Sequence, residues 1–166
     1  MSRTVPVGFG DRSVWAWDVS LSILLAQTVQ VGEEAPEPGR APWLAPTLFE
    51  LRRHAVLGAD AYFDLDLGLD AAQREQLLEM VAEASRRLRE RGPVTRDEAT
   101  RWRVLGEDTV LWRGADDLDT TPVADLGQAL IDLVHGDLPL APPGTRWCFG
   151  VEGGPRTIPP VARNGS

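Results

Sequence analysis

Residues 70–93, DAAQREQLLEMVAEASRRLRERGP, constrain the fold more than any other stretch of the chain. Asp70 stands three residues before Gln73. At that spacing a cap carboxylate accepts the third helical amide, and the glutamine side chain reaches back to the cap amide. Leu77, Leu78, Val81, Ala84, Ser85 and Leu88 then recur with helical period, and Gly92-Pro93 ends the run. The pattern predicts a helix over 71–91, about 30 Å long at 1.5 Å per residue. An apolar stripe of that length must be buried against other elements, because packing rather than propensity stabilises most protein helices.

The same device recurs twice. Thr47-Leu48-Phe49-Glu50 predicts a helix to Asp60 or Tyr62, with Leu48, Leu51, Ala55, Ala59 and Tyr62 on one face. Thr95-Arg96-Asp97-Glu98 predicts a shorter one through Leu105, with Ala99, Trp102 and Leu105 as its apolar positions. Ser20 reads as the N-cap of a helix carrying Leu21, Leu24, Leu25 and Thr28 and stopping by Gly32. Thr121-Pro122 reads as N-cap and first-turn proline of a helix over 122–135, burying Val123, Leu126, Leu130, Leu133 and Val134.

Strand signals lie mainly near the two ends. Ser13 to Val19 is rich in aromatic and β-branched residues, and Thr145–Val151 and Pro155–Ile158 flank Glu152-Gly153-Gly154 as a hairpin. Val110-Leu111-Trp112 is a further short candidate. Gly32 to Pro46 holds four prolines and is expected to follow an extended surface path, as is Asp137 to Gly144. The expected fold is α+β and predominantly α-helical, about five helices packed with a small sheet built from N- and C-terminal segments. At 166 residues the chain suits one domain, 1–166, in which roughly 70% of the unfolded surface can be buried. Residues 1–12 and 159–166 are expected to fray.

Charge narrows the partners. The net charge is −8, and all 17 basic residues are arginine, with no lysine, a usage that suggests a GC-rich bacterial genome. An acidic chain lacks the basic footprint that nucleic acid or an anionic membrane requires. The two basic runs are Arg52-Arg53-His54 and Arg86-Arg87-Leu88-Arg89-Glu90-Arg91. The second is offset by Glu75, Glu79, Glu83 and Glu90 and reads as a solvated helical face. No apolar run approaches the ~20 residues of a membrane span. The N-terminus has no apolar signal region, and Cys148 is the single cysteine, which excludes an intrachain disulfide framework. These features point to the cytoplasm.

Four constellations could carry chemistry. In AYFDLDLGLD (61–70), Asp64, Asp66 and Glu75 occupy positions 1, 3 and 12 of a calcium loop, but Gly68 stands at position 5 and Leu69 at 6, so the turn falls wrongly. The stretch reads instead as an alternating connector, with Phe63, Leu65, Leu67 and Leu69 inward and the acids outward. Glu107-Asp108 and Asp116, Asp117 and Asp119 lie near Trp102 and Trp112, a possible acid pair for a small hydrolase. Cys148 with His54 or His135 has the residue types of a thiol enzyme. Yet Cys148 alternates with Trp147 and Phe149 in a strand, as a small buried hydrophobe does. Gly150 to Pro155 is glycine-rich without the lysine of a phosphate loop.

Six tryptophans remain, most of them expected to fill the core or seal loop–helix joints. Trp43, between Pro42 and Leu44 in the Pro-rich connection, is the foremost candidate for an interface anchor. The sequence therefore points to a non-enzymatic acidic protein-binding module of a bacterial cytoplasm, such as an immunity- or antitoxin-like inhibitor or a regulatory accessory protein. Its partner is expected to be a protein, plausibly a basic one, contacted through Trp43, Trp102, Trp112, Asp116, Asp117 and Asp119, with no cofactor or metal. The alternatives are the small hydrolase and a small-ligand or peptide binder that uses exposed tryptophans.

Overall fold

The computed structural model describes residues 4–35, 41–58, 62–106 and 117–159. It is an α+β fold, predominantly helical, with five helices, a five-stranded mixed sheet and a two-stranded ribbon among those residues. Strand β1 (Thr4–Phe9) and strand β2 (Arg12–Trp17) form an antiparallel hairpin in which Val5 faces Ala16 and Val7 faces Val14. All four side chains are buried. Residues 4–12, expected to fray, are held from Thr4 onward, because the short alternation of Val5 and Val7 finds a partner hairpin arm. Strand β3 (Phe63–Asp64) joins β1 in parallel, and β6 (Arg146–Phe149) joins β2 in parallel. Strand β7 (Arg156–Ile158) closes the expected C-terminal hairpin, giving the order β3-β1-β2-β6-β7.

Helix α1 (Asp18–Glu33) follows β2 without a loop. Ser20 is not its cap. Asp18 accepts the Val19 amide at 2.8 Å, while the buried Ser20 hydroxyl donates to the Gly150 carbonyl and ties α1 to the end of β6. Helix α3 (Ala71–Glu90) carries the full reciprocal cap of Asp70 and Gln73, and its buried residues are the six of the sequence stripe. It packs on α1 and on α5 (Thr121–His135), and α2 (Leu44–Leu57) packs on α1. Helix α5 starts one residue early and places Pro122 in the first turn, where a proline's missing amide costs nothing. Gly136 ends it in the left-handed conformation at φ +81°.

Two helix boundaries depart from expectation. Helix α2 begins three residues before Thr47, with Pro46 in its first turn, where proline is tolerated. Thr47 therefore lies inside the helix, donating its hydroxyl to the Trp43 carbonyl at 2.9 Å. The helix stops at Gly58, φ +74°. Helix α4 (Arg96–Arg101) keeps the Thr95–Glu98 box but ends well before Leu105. Arg103 and Leu105 adopt positive φ, and that turn delivers the Leu105 amide to the Ala55 carbonyl of α2 at 2.8 Å. Asp117, one of the candidate acids, lies in a strand. Strand β5 (Asp117–Leu118) pairs with β4 (Val94–Thr95), and buried Thr120 donates its hydroxyl to the Leu88 carbonyl near the end of α3. No helix among the described residues is long and apolar enough to cross a membrane.

Candidate functional site

Trp43 sits where α1, α2 and α3 converge. Gly32 permits that convergence: a Cβ there would lie 2.6 Å from a Leu48 methyl and 3.2 Å from the Met80 sulfur. With no side chain in the way, α2 and α3 close over the α1 backbone. Above this junction the helices part into a solvent-open cleft of about 430 Å³. Val31 from α1, Trp43 and Leu44 at the start of α2, and Met80 from α3 line it with apolar surface, and Gln76 and Glu79 form its polar wall. Ala35 and Ala41 complete the lining.

Hydrogen bonds fix the backbone at Trp43. Trp43 is the residue before α2, with φ −73° and ψ −21°, and it has no side-chain cap to make. Its carbonyl accepts both the amide and the hydroxyl of Thr47, at 3.4 and 2.9 Å. Ala41 accepts the Leu44 amide at 3.0 Å. The ring packs against the edge of the hydrophobic core and stays partly exposed.

Charges around the cleft divide sharply. Glu33 is paired with Arg52. Glu34 takes two hydrogen bonds from Arg87, which hold its carboxyl below the usual carboxylate range. Arg86 and Arg87 both donate to Glu83 and lower it to about 2, and Arg86 reaches on to Glu90. Glu75 meets His135 across to α5 at 2.9 Å. Within the basic run, Arg86 and Arg87 are paired with Glu34, Glu83 and Glu90, Arg89 with Asp125 and Arg91 with Glu98, whereas Glu79, also expected to offset the run, makes no ion pair among the described residues.

The other sequence candidates are placed elsewhere. Trp102 caps the end of α4 beneath the Arg91 guanidinium, 5.2 Å from its ring centre, and Arg91 is itself paired with Glu98 at 2.7 Å. Arg91 is the C-terminal cap of α3, eleven residues beyond Met80, and Trp102 is not among the residues that line the cleft. Asp117 is exposed in β5 opposite Thr95, and Asp119 accepts the Thr121 amide at 2.9 Å. Trp112, Asp116, the Glu107-Asp108 pair and the candidate strand at 110–112 lie outside the described residues.

The acids at 64–70 are occupied by backbone. Asp64 accepts the Asp66 amide at 2.9 Å, Asp66 the Gly68 amide at 3.3 Å, and Asp70 the Gln73 amide at 2.8 Å. Phe63, Leu65 and Leu69 are buried and Leu67 half-buried, as alternation requires. Among the described residues no three His, Cys, Asp or Glu side chains converge. Cys148 is 1% exposed, and burial pushes its thiol above the ordinary value. His54 packs edge-on against Phe63 and His135 faces Glu75, so neither histidine is paired with the sulfur in any described contact.

Of the cleft residues, sequence reasoning found Trp43 and missed Gln76, Glu79, Met80 and Val31. Gln76 and Met80 flank the buried stripe of α3 one step around the helix, which was the available signal. The chain matches no protein-family model, no curated protein and no solved structure among those compared.

Proposed function

We propose that this chain is a non-enzymatic protein-binding module whose docking site is the Trp43 cleft. The carrying observation is the cleft itself: an apolar floor with a partly exposed tryptophan, formed at a three-helix junction held close by Gly32. Rigid aromatic anchors in apolar surroundings with a polar rim are what binding hot spots are made of. The net charge of −8 adds a preference for a basic partner, because opposite net charge accelerates encounter. An inhibitor of a basic effector or a regulatory accessory protein both fit this description.

The test is a kinetic titration of the purified partner. Trp43→Ala should cost about 2 kcal/mol, roughly thirtyfold in affinity, mainly in dissociation. Raising salt should slow association of the unaltered chain. A partner that binds Trp43→Ala with unchanged affinity would remove the cleft from the interface.

One observation favours a second reading. The volume of about 430 Å³ falls within the range typical of small-molecule sites. Saturable quenching of tryptophan fluorescence by a metabolite, lost in Trp43→Ala, would move the assignment to a small-ligand carrier.

A further inference from the structure

We infer that the Trp43 cleft is built to take an arginine side chain from the docking partner. This inference rests on the protein-binding reading above and names the chemistry of the contact. Helix α3 carries four glutamates: Glu83 and Glu90 are paired with arginine and Glu75 faces His135, whereas Glu79 has no such partner among the described residues. Glu79 is exposed and stands on the wall of the cleft with Gln76 one turn before it on the same helix. Residues three apart are neighbours on a helix surface, so a carboxylate and an amide carbonyl are offered side by side. The same cleft is lined by Trp43 and by the apolar side chains of Val31 and Met80.

An unpaired carboxylate above an apolar floor complements a cation on an apolar stem. A lysine or arginine could each lay its methylenes on Met80 and Val31 while its charged head reaches the rim. The wall favours the guanidinium for two reasons. Its planar fork of five donors can serve two neighbouring acceptors at once, and its weak hydration suits stacking on an indole face. The compact ammonium is strongly hydrated and presents no plane. The chain's own nearby arginines, Arg52 and Arg87, are occupied by Glu33 and Glu34. Arg40, one residue before Ala41, lies outside the described residues and supplies the control below.

The probe is the tripeptide Ac-Leu-Arg-Leu-amide, with lysine and citrulline counterparts, titrated into the isotope-labelled full chain. The indole N–H signal of Trp43 reports occupancy. A ligand of this size should bind with a dissociation constant on the order of 1 mM. The arginine peptide should bind at least fivefold tighter than its citrulline counterpart, which keeps the shape without the charge, and tighter than the lysine peptide. Glu79→Gln should erase the arginine-over-citrulline preference, and Trp43→Ala, followed through the backbone amide signals of Gln76, Glu79 and Met80, should abolish binding of all three. Because Glu79 is an exposed surface residue, Glu79→Gln should leave the remaining spectrum intact. Arg40→Ala should leave affinity unchanged. Equal shifts for arginine and citrulline would overturn the inference while leaving protein docking at the cleft standing, and so would the absence of any indole shift at about ten times the expected constant. A gain of affinity in Arg40→Ala would identify the chain's own arginine as the occupant and overturn the partner assignment.

Discussion

Gly127→Ala is the substitution on which this fold should respond against ordinary helix chemistry. Gly127 lies in the middle of α5, where replacing glycine by alanine normally stabilises by about 1 kcal/mol. Here the added Cβ would lie 1.9 Å from the Ser85 hydroxyl, 3.2 Å from the Ser85 Cβ and 3.2 Å from a Leu24 methyl. Ser85 and Leu24 are buried, and the hydroxyl is held by the Val81 carbonyl at 2.9 Å, so relief requires moving a packed helix or breaking that bond. Overpacking of this kind costs about 1–3 kcal/mol, which outweighs the propensity gain and leaves a net loss of about 1–2 kcal/mol. For a chain of this length that lowers the melting temperature by about 2–4 °C per kcal/mol. In a Ser85→Ala background the closest clash disappears and Gly127→Ala should become neutral or stabilising. The double-mutant cycle in urea should therefore show a coupling of about 2 kcal/mol. A Gly127→Ala protein more stable than the parent, or a coupling near zero, would refute the close approach of α1, α3 and α5 at this point.

Three further outcomes follow from the same structure. Asp70→Ala should cost about 1 kcal/mol in urea denaturation, because Asp70 anchors the reciprocal cap of α3, while Asp64→Asn should be nearly silent. A calcium-dependent rise in melting temperature lost in Asp64→Asn would contradict the structural role of these acids. The folded Glu83 carboxyl lies at about 2, below its ordinary 4.5, so its contribution to stability is complete above pH 4.5 and is lost as pH falls toward 2. Melting temperature followed from pH 5 down to 2 should fall less steeply in Glu83→Gln than in the parent; identical slopes would deny the Arg86 and Arg87 contacts. Cys148, buried in β6 with its thiol raised, should resist a thiol reagent in the native protein and react fully in denaturant. Fast native labelling would place that strand at the surface.

What could be read from the sequence was what local chemistry dictates. The Asp70–Gln73 box, the six-residue stripe of α3, Pro122 and the C-terminal hairpin each follow from local spacing or a residue's own preference, and the structure has all of them. The alternating connector at 63–69 was legible for the same reason. Failures arose where a tertiary contact overrode a local signal. Ser20 has the chemistry of a cap, yet its hydroxyl is claimed by Gly150, 130 residues away in sequence. Thr47 and Glu50 have capping spacing, but burial of Leu44 draws the helix start earlier. Leu105 continues a helical pattern, and the carbonyl of Ala55 bends it away. The cleft was half legible: Trp43 stood out by its setting, while Glu79 could be distinguished from its paired neighbours only once Arg86, Arg87 and His135 had been located.

Docking of a protein partner at the Trp43 cleft is tested most directly by a photoreactive residue placed at position 76, exposed on the cleft wall, with position 147 as control. Trp147 donates its indole N–H to the Pro139 carbonyl at 2.8 Å, on a different part of the surface formed by β6 and its neighbouring loop. In extract from the native host at low salt, position 76 should give one dominant stoichiometric adduct that weakens as salt rises, and position 147 should not. The same diffuse pattern from both positions would contradict the assignment of the cleft as a docking site.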